Sequence, residues 1–186
     1  TLQFPVDAES PEYSAEIDAA SLWNTIIESA TKTAEPGLLM WDNIIKNLPA
    51  HSYPEFKTKT TNPCGEIPLS AYDSCRLVSL NLKSLVKNSF EKNADFDFNK
   101  LREVAAIAMR LSDDLVELEL EKLTNIQKIA DTPDEKKLWG KLYSAAANGR
   151  RTGLGTHGLA DALACLNLAY DSDEGLVIIE KIYRTL

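Results

Sequence analysis

The sequence has few of the residues that build metal centres and disulfide scaffolds. It holds three cysteines and two histidines in 186 residues. So few cysteines, and an odd number of them, do not fit a disulfide-rich secreted domain. His51 and His157 lie far apart in the sequence and far from any cysteine pair, so they do not give the ligand spacing of a zinc site. We therefore expect no metal bound to this chain.

Positive charge and long apolar runs are also scarce. The chain has 20 basic and 28 acidic residues, a net charge of −8, whereas non-specific binding to nucleic acid needs a basic face. No apolar run approaches the roughly 20 residues that span a bilayer, and the first residues lack the pattern of a signal peptide. These absences predict a cytoplasmic protein that binds neither nucleic acid nor membrane.

Helical patterns dominate what the sequence does contain. Apolar residues recur at three- and four-residue spacing over residues 15–33 and 98–123, which predicts two amphipathic helices. The stretch Thr-Pro-Asp-Glu at 132–135 is typical of a helix start, with threonine as the cap and proline in the first turn. Further helices are predicted over residues 159–166 and from residue 172 onwards.

Strand candidates are short and few. Residues 75–82, CRLVSLNL, alternate in character around a β-branched valine, which predicts a strand. The apolar run at 38–41 suits a buried strand or a helix start, and residues 42–48 suit a helical turn or two. We expect a helix-rich α/β fold in a single incomplete domain over 1–186. The last residues, KIYRTL, continue a helical pattern without a stop signal, so we expect a segment of a longer protein.

The stretch TTNPCGEIPLSAYDSC, residues 60–75, combines turn-forming residues with reactive side chains. Asn62 precedes a proline, which disfavours helical backbone at this residue, and Gly65 permits a tight bend. Such a loop can project Cys64 at its tip, with Asn62 and Glu66 near enough to share one ligand. An amide to orient, a thiol to react and a carboxylate to move protons make a plausible catalytic trio.

The residues alone leave several interpretations of Cys64 and Cys75 open. No second cysteine pair or nearby histidine completes a tetrahedral zinc site. A disulfide between the two is sterically possible, but cytosolic proteins rarely keep one. Both thiols also suit small buried apolar residues, the commonest fate of a lone cysteine. At this point the catalytic and the buried interpretations stand side by side.

Several stretches resemble the large, catalytic subunit of ribonucleotide reductases. Residues 62–82, NPCGEIPLSAYDSCRLVSLNL, resemble the active-site finger loop and the strand after it in that family. Residues 21–44, SLWNTIIESATKTAEPGLLMWDNI, resemble the helix and turn before the loop. Residues 98–119 and 149–175 resemble the later helix and the Gly-rich turn with its helix. The resemblance runs in the family's order from about residue 15, with a finger loop over 60–75, and implies part of a ten-stranded α/β barrel.

The resemblance also implies a role for each site residue. Cys64 would carry a transient thiyl radical that abstracts the 3′ hydrogen of the substrate ribose. Glu66 would be the general base on the 3′ hydroxyl, and Asn62 would hydrogen-bond the same sugar. Cys75 would be one of two reducing cysteines that supply electrons as the 2′ hydroxyl leaves as water. The implied function is reduction of ribonucleotides to deoxyribonucleotides, which serves DNA replication.

The loop sequence most resembles adenosylcobalamin-dependent reductases, although reductases with a separate metal-containing radical subunit have similar loops. The implied partners are a ribonucleotide substrate and the remainder of the catalytic subunit. The second reducing cysteine is expected upstream, and Cys165 occupies an apolar helical position that we expect to be core. We therefore expect the chain alone to be inactive. The alternative is a non-catalytic helical module that oligomerises through exposed apolar surface.

Two charged stretches have plainer interpretations. Arg150 and Arg151 precede two glycines, a pattern too incomplete for a phosphate loop. We expect the arginines to pair with acidic neighbours, the glycines to form a strand-to-helix turn, and His157 to serve as a turn or capping residue. The acidic residues between 113 and 121 predict a solvated helix face rather than a cation site.

Overall fold

The computed structural model describes residues 1–6 and 8–186. The chain divides into two compact units, residues 1–48 and 49–186. The single incomplete domain expected over 1–186 stays a prediction.

The first unit is a short hairpin followed by two helices. Its elements are β1 (Leu2–Phe4), β2 (Tyr13–Ala15), α1 (Ala19–Thr33) and α2 (Trp41–Asn47). The α1 helix begins later than predicted because Asp18 caps it, with Oδ1 accepting a hydrogen bond from the Ala20 N–H at 3.1 Å. It ends at Thr33, and the next residue, Ala34, has a left-handed φ of 62°. The apolar run 38–41 forms no strand, and its last residue begins α2.

The second unit holds the remaining elements. Its strands are β3 (Thr60–Thr61), β4 (Pro68–Leu69), β5 (Arg76–Asn81), β6 (Val86–Lys87), β7 (Asp95–Phe96) and β8 (Thr152–His157). Its α-helices are α3 (Phe98–Ile129), α4 (Pro133–Gly149), α5 (Leu159–Cys165) and α6 (Asp173–Thr185). Three 3₁₀ turns cover Pro49–Ser52, Pro54–Phe56 and Leu82–Leu85.

Strands β5 and β8 form a parallel pair in the second unit, and α3 packs against both strands. The register runs from Arg76 opposite Thr152 to Asn81 opposite His157. Parallel neighbours need a long crossover, which here contains the β6–β7 hairpin, α3 and α4. The other pairs, β1–β2, β3–β4 and β6–β7, are antiparallel. The described residues thus form a helix-rich α/β structure without a closed barrel, which confirms the predicted fold class.

Helix α3 is longer than predicted and packs along one face. Asp97 caps its start, accepting from the Lys100 N–H at 2.9 Å. Its buried residues recur every three or four positions: Leu101, Ala105, Ala108, Ser112, Val116, Leu120 and Leu123. Helix α4 begins with the predicted cap, a complete capping box between Thr132 and Glu135.

Two buried clusters hold these elements together. The first gathers Leu82, Leu85, Phe96, Leu101, Ala162 and Ile182. The second joins α3 to α4 through Val116, Leu120, Leu123 and Ala146. Cys165 is 2% exposed, which confirms its predicted place in the core. None of the helices in the described residues is both long and apolar enough to cross a membrane.

The Gly-rich stretch before α5 differs from its prediction. Gly153 and Gly155 lie inside β8, not in the turn after it. The turn is made by Gly158, whose φ of +71° favours glycine. His157 is the last residue of β8, with Nδ1 3.0 Å from Ser79 Oγ, so its prediction as a turn or capping residue is wrong. The parallel pairing to β5 extends the strand to this point.

Candidate active site

The first part of the finger loop, residues 60–69, folds as a hairpin of β3 and β4. The Asn62 N–H donates to the Ile67 carbonyl at 3.2 Å. In return, Asn62 Oδ1 accepts from the Ile67 N–H at 2.8 Å. The Gly65 N–H donates to the Asn62 carbonyl at 3.0 Å, and Gly65 has a φ of 82°. Proline second and glycine last are residues that such a four-residue turn prefers, so the local sequence explains the bend.

This turn places Cys64 and Glu66 at the exposed tip of the hairpin, as predicted for the thiol. Asn62, at the base of the turn, is half-buried. No hydrogen bond among the described residues joins these three side chains to one another. The hairpin therefore leaves the Cys64 thiol and the Glu66 carboxylate exposed to solvent, and holds the Asn62 side chain by its oxygen alone.

Cys75 lies at the other end of the loop, immediately before β5, and is half-buried. A Cβ placed on Gly153 of β8 would lie 3.7 Å from its Sγ, so the thiol rests against the part of β8 that lacks a side chain. Burial raises the pKa of the Cys75 thiol, while the guanidiniums of Arg76 and Arg151 oppose that rise and the Asp73 carboxylate adds to it. The thiol therefore holds its proton at neutral pH more firmly than an ordinary cysteine.

The structure does not bring the two loop cysteines together as a pair. Cys64, Cys75 and Cys165 are all free thiols. Their catalytic or reducing roles, like those of Asn62 and Glu66, stay predictions.

A buried carboxylate secures the segment between β4 and Cys75. The Asp73 side chain is 2% exposed and pairs with Arg151 Nε. It also accepts from Ser70 Oγ at 2.9 Å and from the Ser74 N–H at 2.9 Å. A buried charge is costly unless it is paired and hydrogen-bonded, and here the Asp73 carboxylate has donors on both oxygens.

A second ion pair joins β5 to α3. Arg76 Nη2 pairs with Glu119 Oε2, and the Arg76 side chain is 9% exposed. Ser74 Oγ donates to the other Glu119 oxygen at 3.3 Å. The acidic face predicted for α3 is otherwise exposed, but Glu119 is half-buried by these contacts, so the prediction is wrong at that residue.

The sequence predicted that Arg150 and Arg151 form ion pairs, but not which acidic residues they pair with. Arg150 reaches Asp113 and Glu117, each at 2.6 Å, and Arg151 reaches Asp73. Both pairs confirm the preference for ion pairs over a phosphate site. Asp73 and Arg76 were missed altogether, and Glu119 was predicted to be solvated. The only available signal was a charged residue inside the strand pattern of CRLVSLNL, which indicates a buried partner but not which one.

Ligands for a metal ion do not gather anywhere in the described part of the chain. No group of three or more His, Cys, Asp or Glu side chains lies close enough to hold one ion. Both histidines already use Nδ1 within the chain, His51 toward the Thr58 N–H at 3.1 Å and His157 toward Ser79.

Comparison with known proteins covers nearly the whole chain. Residues 6–186 match the family model described as ribonucleotide reductase, barrel domain. A vitamin B12-dependent ribonucleoside-diphosphate reductase of Thermoplasma acidophilum is 36% identical over 166 residues, 89% of this chain and 19% of that protein. A reductase of the same description from Mycobacterium tuberculosis is 31% identical over 172 residues, 92% of this chain and 22% of that protein.

A viral relative is of a different description. The ribonucleoside-diphosphate reductase large subunit of variola virus is 30% identical over 178 residues, 94% of this chain and 20% of that protein. The chain thus spans about a fifth of the length of these relatives. No solved structure matches it.

Proposed function

The chain belongs to the family of the ribonucleotide reductase barrel domain, and we propose that the complete protein reduces ribonucleotides to deoxyribonucleotides. The observation that supports this proposal is the hairpin whose turn contains Asn62 and Cys64, with Glu66 directly after it. The relatives are named for ribonucleoside diphosphates, so we propose a ribonucleoside diphosphate as the substrate. A cytoplasmic location belongs to the same proposal.

Cys64 begins the reaction as a thiyl radical. Its sulfur takes the hydrogen atom from C3′ of the ribose, which leaves a carbon radical and a thiol. An exposed thiol at a hairpin tip suits this step, because the sulfur is free to approach a substrate. The S–H and C–H bonds are close enough in strength for the hydrogen to return to C3′ once reduction is complete.

Glu66 and Asn62 act on the oxygen of the same carbon. Glu66 removes the 3′ hydroxyl proton, which eases loss of the neighbouring 2′ hydroxyl as water, a general-base role that suits a carboxylate within reach of its proton. Asn62 already spends its Oδ1 on the Ile67 N–H. Its Nδ2 hydrogens are therefore the atoms we assign to holding the sugar oxygen.

Cys75 supplies electrons in this proposal. Two thiols give up two electrons and two protons as they close to a disulfide, one from Cys75 and one from a cysteine in another part of the protein. The atoms balance as ribonucleotide plus two thiols giving deoxyribonucleotide, water and a disulfide. The half-buried position of Cys75 beside Gly153 keeps the thiol out of bulk solvent while leaving one side open.

We propose that the radical on Cys64 is generated by a group that lies outside this chain. Two of the relatives are named as vitamin B12-dependent, and adenosylcobalamin supplies a radical when it is bound; a metal-containing radical subunit is the alternative. A metal-containing radical centre needs several ligands from its protein, and the described residues gather no group of three or more His, Cys, Asp or Glu side chains. We assign the source to another part of the protein or to a partner.

The first unit exposes an apolar surface that fits the remainder of the catalytic subunit. No residue of α1 is buried. The large apolar side chains around it are about half exposed: Leu22 at 47%, Trp23 at 52%, Ile27 at 47%, Leu38 at 55%, Leu39 at 48% and Met40 at 65%. The relatives are about five times longer than this chain. We propose that the segments of the complete protein outside these 186 residues cover this surface. The 186-residue chain alone is then inactive.

The test uses the complete protein with single substitutions in the hairpin. Cys64→Ser removes the only sulfur at the tip, so deoxynucleotide formation should be lost completely. Glu66→Gln keeps the shape of the side chain but removes the general base, so the rate of deoxynucleotide formation should fall by about 10²- to 10⁴-fold. Cys165→Ala is the matched control, because that cysteine is buried in the core away from the hairpin. Wild-type turnover by the Cys64→Ser enzyme would contradict the radical assignment.

The oligomeric state of the 186-residue chain distinguishes the reductase proposal from the alternative, a non-catalytic module that oligomerises. Light scattering after size-exclusion chromatography measures its mass, and deoxynucleotide assays measure its turnover. A monomer that becomes active only with the missing segments supports the proposal. A stable homo-oligomer that forms through the α1 surface, within a complete protein that lacks reductase activity, favours the non-catalytic module.

A further inference from the structure

The segment that carries Cys75 is clamped on both sides by ion pairs. On one side Asp73, two residues before the cysteine, pairs with Arg151. On the other side Arg76, the next residue, pairs with Glu119 of α3. The two charged residues of the stretch 73–76 therefore each have a charged partner, and both pairs are at least partly buried.

Arg151 contacts both sides of this stretch. Its guanidinium pairs with Asp73 and lies 6.0 Å from the Phe56 ring. Its carbonyl accepts from the Arg76 N–H at 3.3 Å and from Arg76 Nη1 at 3.4 Å. Contacts from Arg151, the residue just before β8, thus tie the residues on both sides of Cys75 to the start of that strand.

Asp73, Arg76 and Arg151 are the charged groups that act on the Cys75 thiol, and Glu119 pairs with one of them. Asp73 lies in the preceding loop, Arg76 in β5, Arg151 before β8, and Glu119 in α3 behind Ser74. We infer that Asp73 and Arg151 are positioning residues for Cys75: their buried ion pair fixes the thiol beside β8 and balances the charge around it. This inference rests on the proposed role of Cys75 as a reducing cysteine.

The balance matters because a thiol and a thiolate do different chemistry. Thiolate attacks a disulfide or an alkylating reagent, whereas thiol carries a hydrogen. Burial and Asp73 act to keep the proton on Cys75, while Arg151 and Arg76 act to remove it. Removing Asp73 alone should therefore lower the pKa of the Cys75 thiol, and removing Arg151 alone should raise it. A general loss of packing would not give opposite changes.

The experiment measures the alkylation of Cys75 by iodoacetamide against pH in the 186-residue chain, with Cys64→Ser as the background. Peptide mass spectrometry separates Cys75 from the buried Cys165. Asp73→Asn should raise the rate at neutral pH by about two- to fivefold, and Arg151→Gln should lower it by a similar factor, as expected for one charge at short range. Arg150→Gln is the matched control, since Arg150 pairs with Asp113 and Glu117 instead.

Opposite changes with an unchanged control support the inference. Changes of the same sign, no change, or an equal change in Arg150→Gln overturn it. If circular dichroism shows that Asp73→Asn does not fold, the alkylation profiles of Arg151→Lys and Arg151→Gln are compared instead. Lysine keeps the charge and should keep the wild-type pH profile, whereas a profile equal to that of glutamine contradicts the inference.

The result is independent of the proposed function. Alkylation needs no substrate, so the charge balance can fail while the complete enzyme still depends on Cys75. Conversely, a complete enzyme in which Cys75→Ser keeps full multiple-turnover activity removes the reducing role but leaves the alkylation profiles unaffected.

Discussion

Asn62 Oδ1 accepts a hydrogen bond from the Ile67 N–H at 2.8 Å, across the turn that carries Cys64. The residue assigned to the substrate thus also closes the hairpin. Asn62→Ala removes this bond, worth about 1 kcal/mol, and should speed amide hydrogen exchange at Ile67. Asn125→Ala, at an exposed position of α3, is the control and should leave that exchange unchanged. Unchanged protection of Ile67 in Asn62→Ala would contradict the structural role.

The larger buried cluster should depend strongly on Leu101, which is 0% exposed. Leu101→Ala leaves a cavity between α3 and its neighbours, and should lower the free energy of unfolding by about 2–5 kcal/mol. Urea denaturation measures the change. Leu118→Ala, on the same helix but 48% exposed, should cost less than about 1 kcal/mol. Equal costs for the two variants would show that α3 does not pack as described.

Gly175, in the first turn of α6, has no room for a side chain. A Cβ there would lie 2.5 Å from the Ala169 carbonyl oxygen and 3.1 Å from Ser172 Oγ. Since the first of these contacts is backbone, Gly175→Ala should cost about 1–3 kcal/mol, measured by urea denaturation. Gly37→Ala meets nothing within 4 Å and should change stability little. A neutral Gly175→Ala would mean that the 169–172 turn moves freely.

The ion pair between Lys87 and Asp97 predicts a pH-dependent stability. The hydrogen bond from Lys87 Nζ, followed by that from the Lys100 N–H, lowers the pKa of Asp97 below its ordinary 3.8. Asp97 therefore stabilises the fold at pH values above 3.8, and this contribution is lost as the pH falls through its lowered pKa. The same bond raises the pKa of Lys87 above 10.5, so its share is lost only in strong alkali.

Urea midpoints of the wild type and Asp97→Asn at pH 7 and in acid test this pair. The wild type should be the more stable at pH 7, and the difference should shrink as the pH falls below 3.8. Asp171→Asn is the control, because Asp171 is exposed, and its midpoint should follow the wild type. A difference between wild type and Asp97→Asn that does not change with pH would contradict the assignment.

Much of the local structure was predictable because its causes are local. The helix at 133–149 follows from the capping box of Thr132 and Glu135, and α3 follows from apolar residues at three- and four-residue spacing. The bend at Cys64 follows from a proline and a glycine placed where a tight turn prefers them. Even the buried position of Cys165 could be predicted from the apolar residues around it.

The predictions were wrong where the structure of a residue depends on a contact with a residue distant in sequence. Gly153 and Gly155 suggested a turn, but pairing with β5 places them in a strand. Glu119 suggested a solvated face, but Arg76 covers it from another element. Neither outcome can be read from the residues beside it, because each depends on which elements the crossover brings together.

The amino-acid sequence alone therefore determined where the main helices and the turn at Cys64 form, since these depend on backbone preference and local side-chain chemistry. Only the tertiary structure decided the surroundings of Cys75. Arg151 meets Asp73 because β8 lies parallel to β5, and Glu119 meets Arg76 because α3 packs against that strand pair. Charges select partners by distance in space, and the chain fold sets that distance.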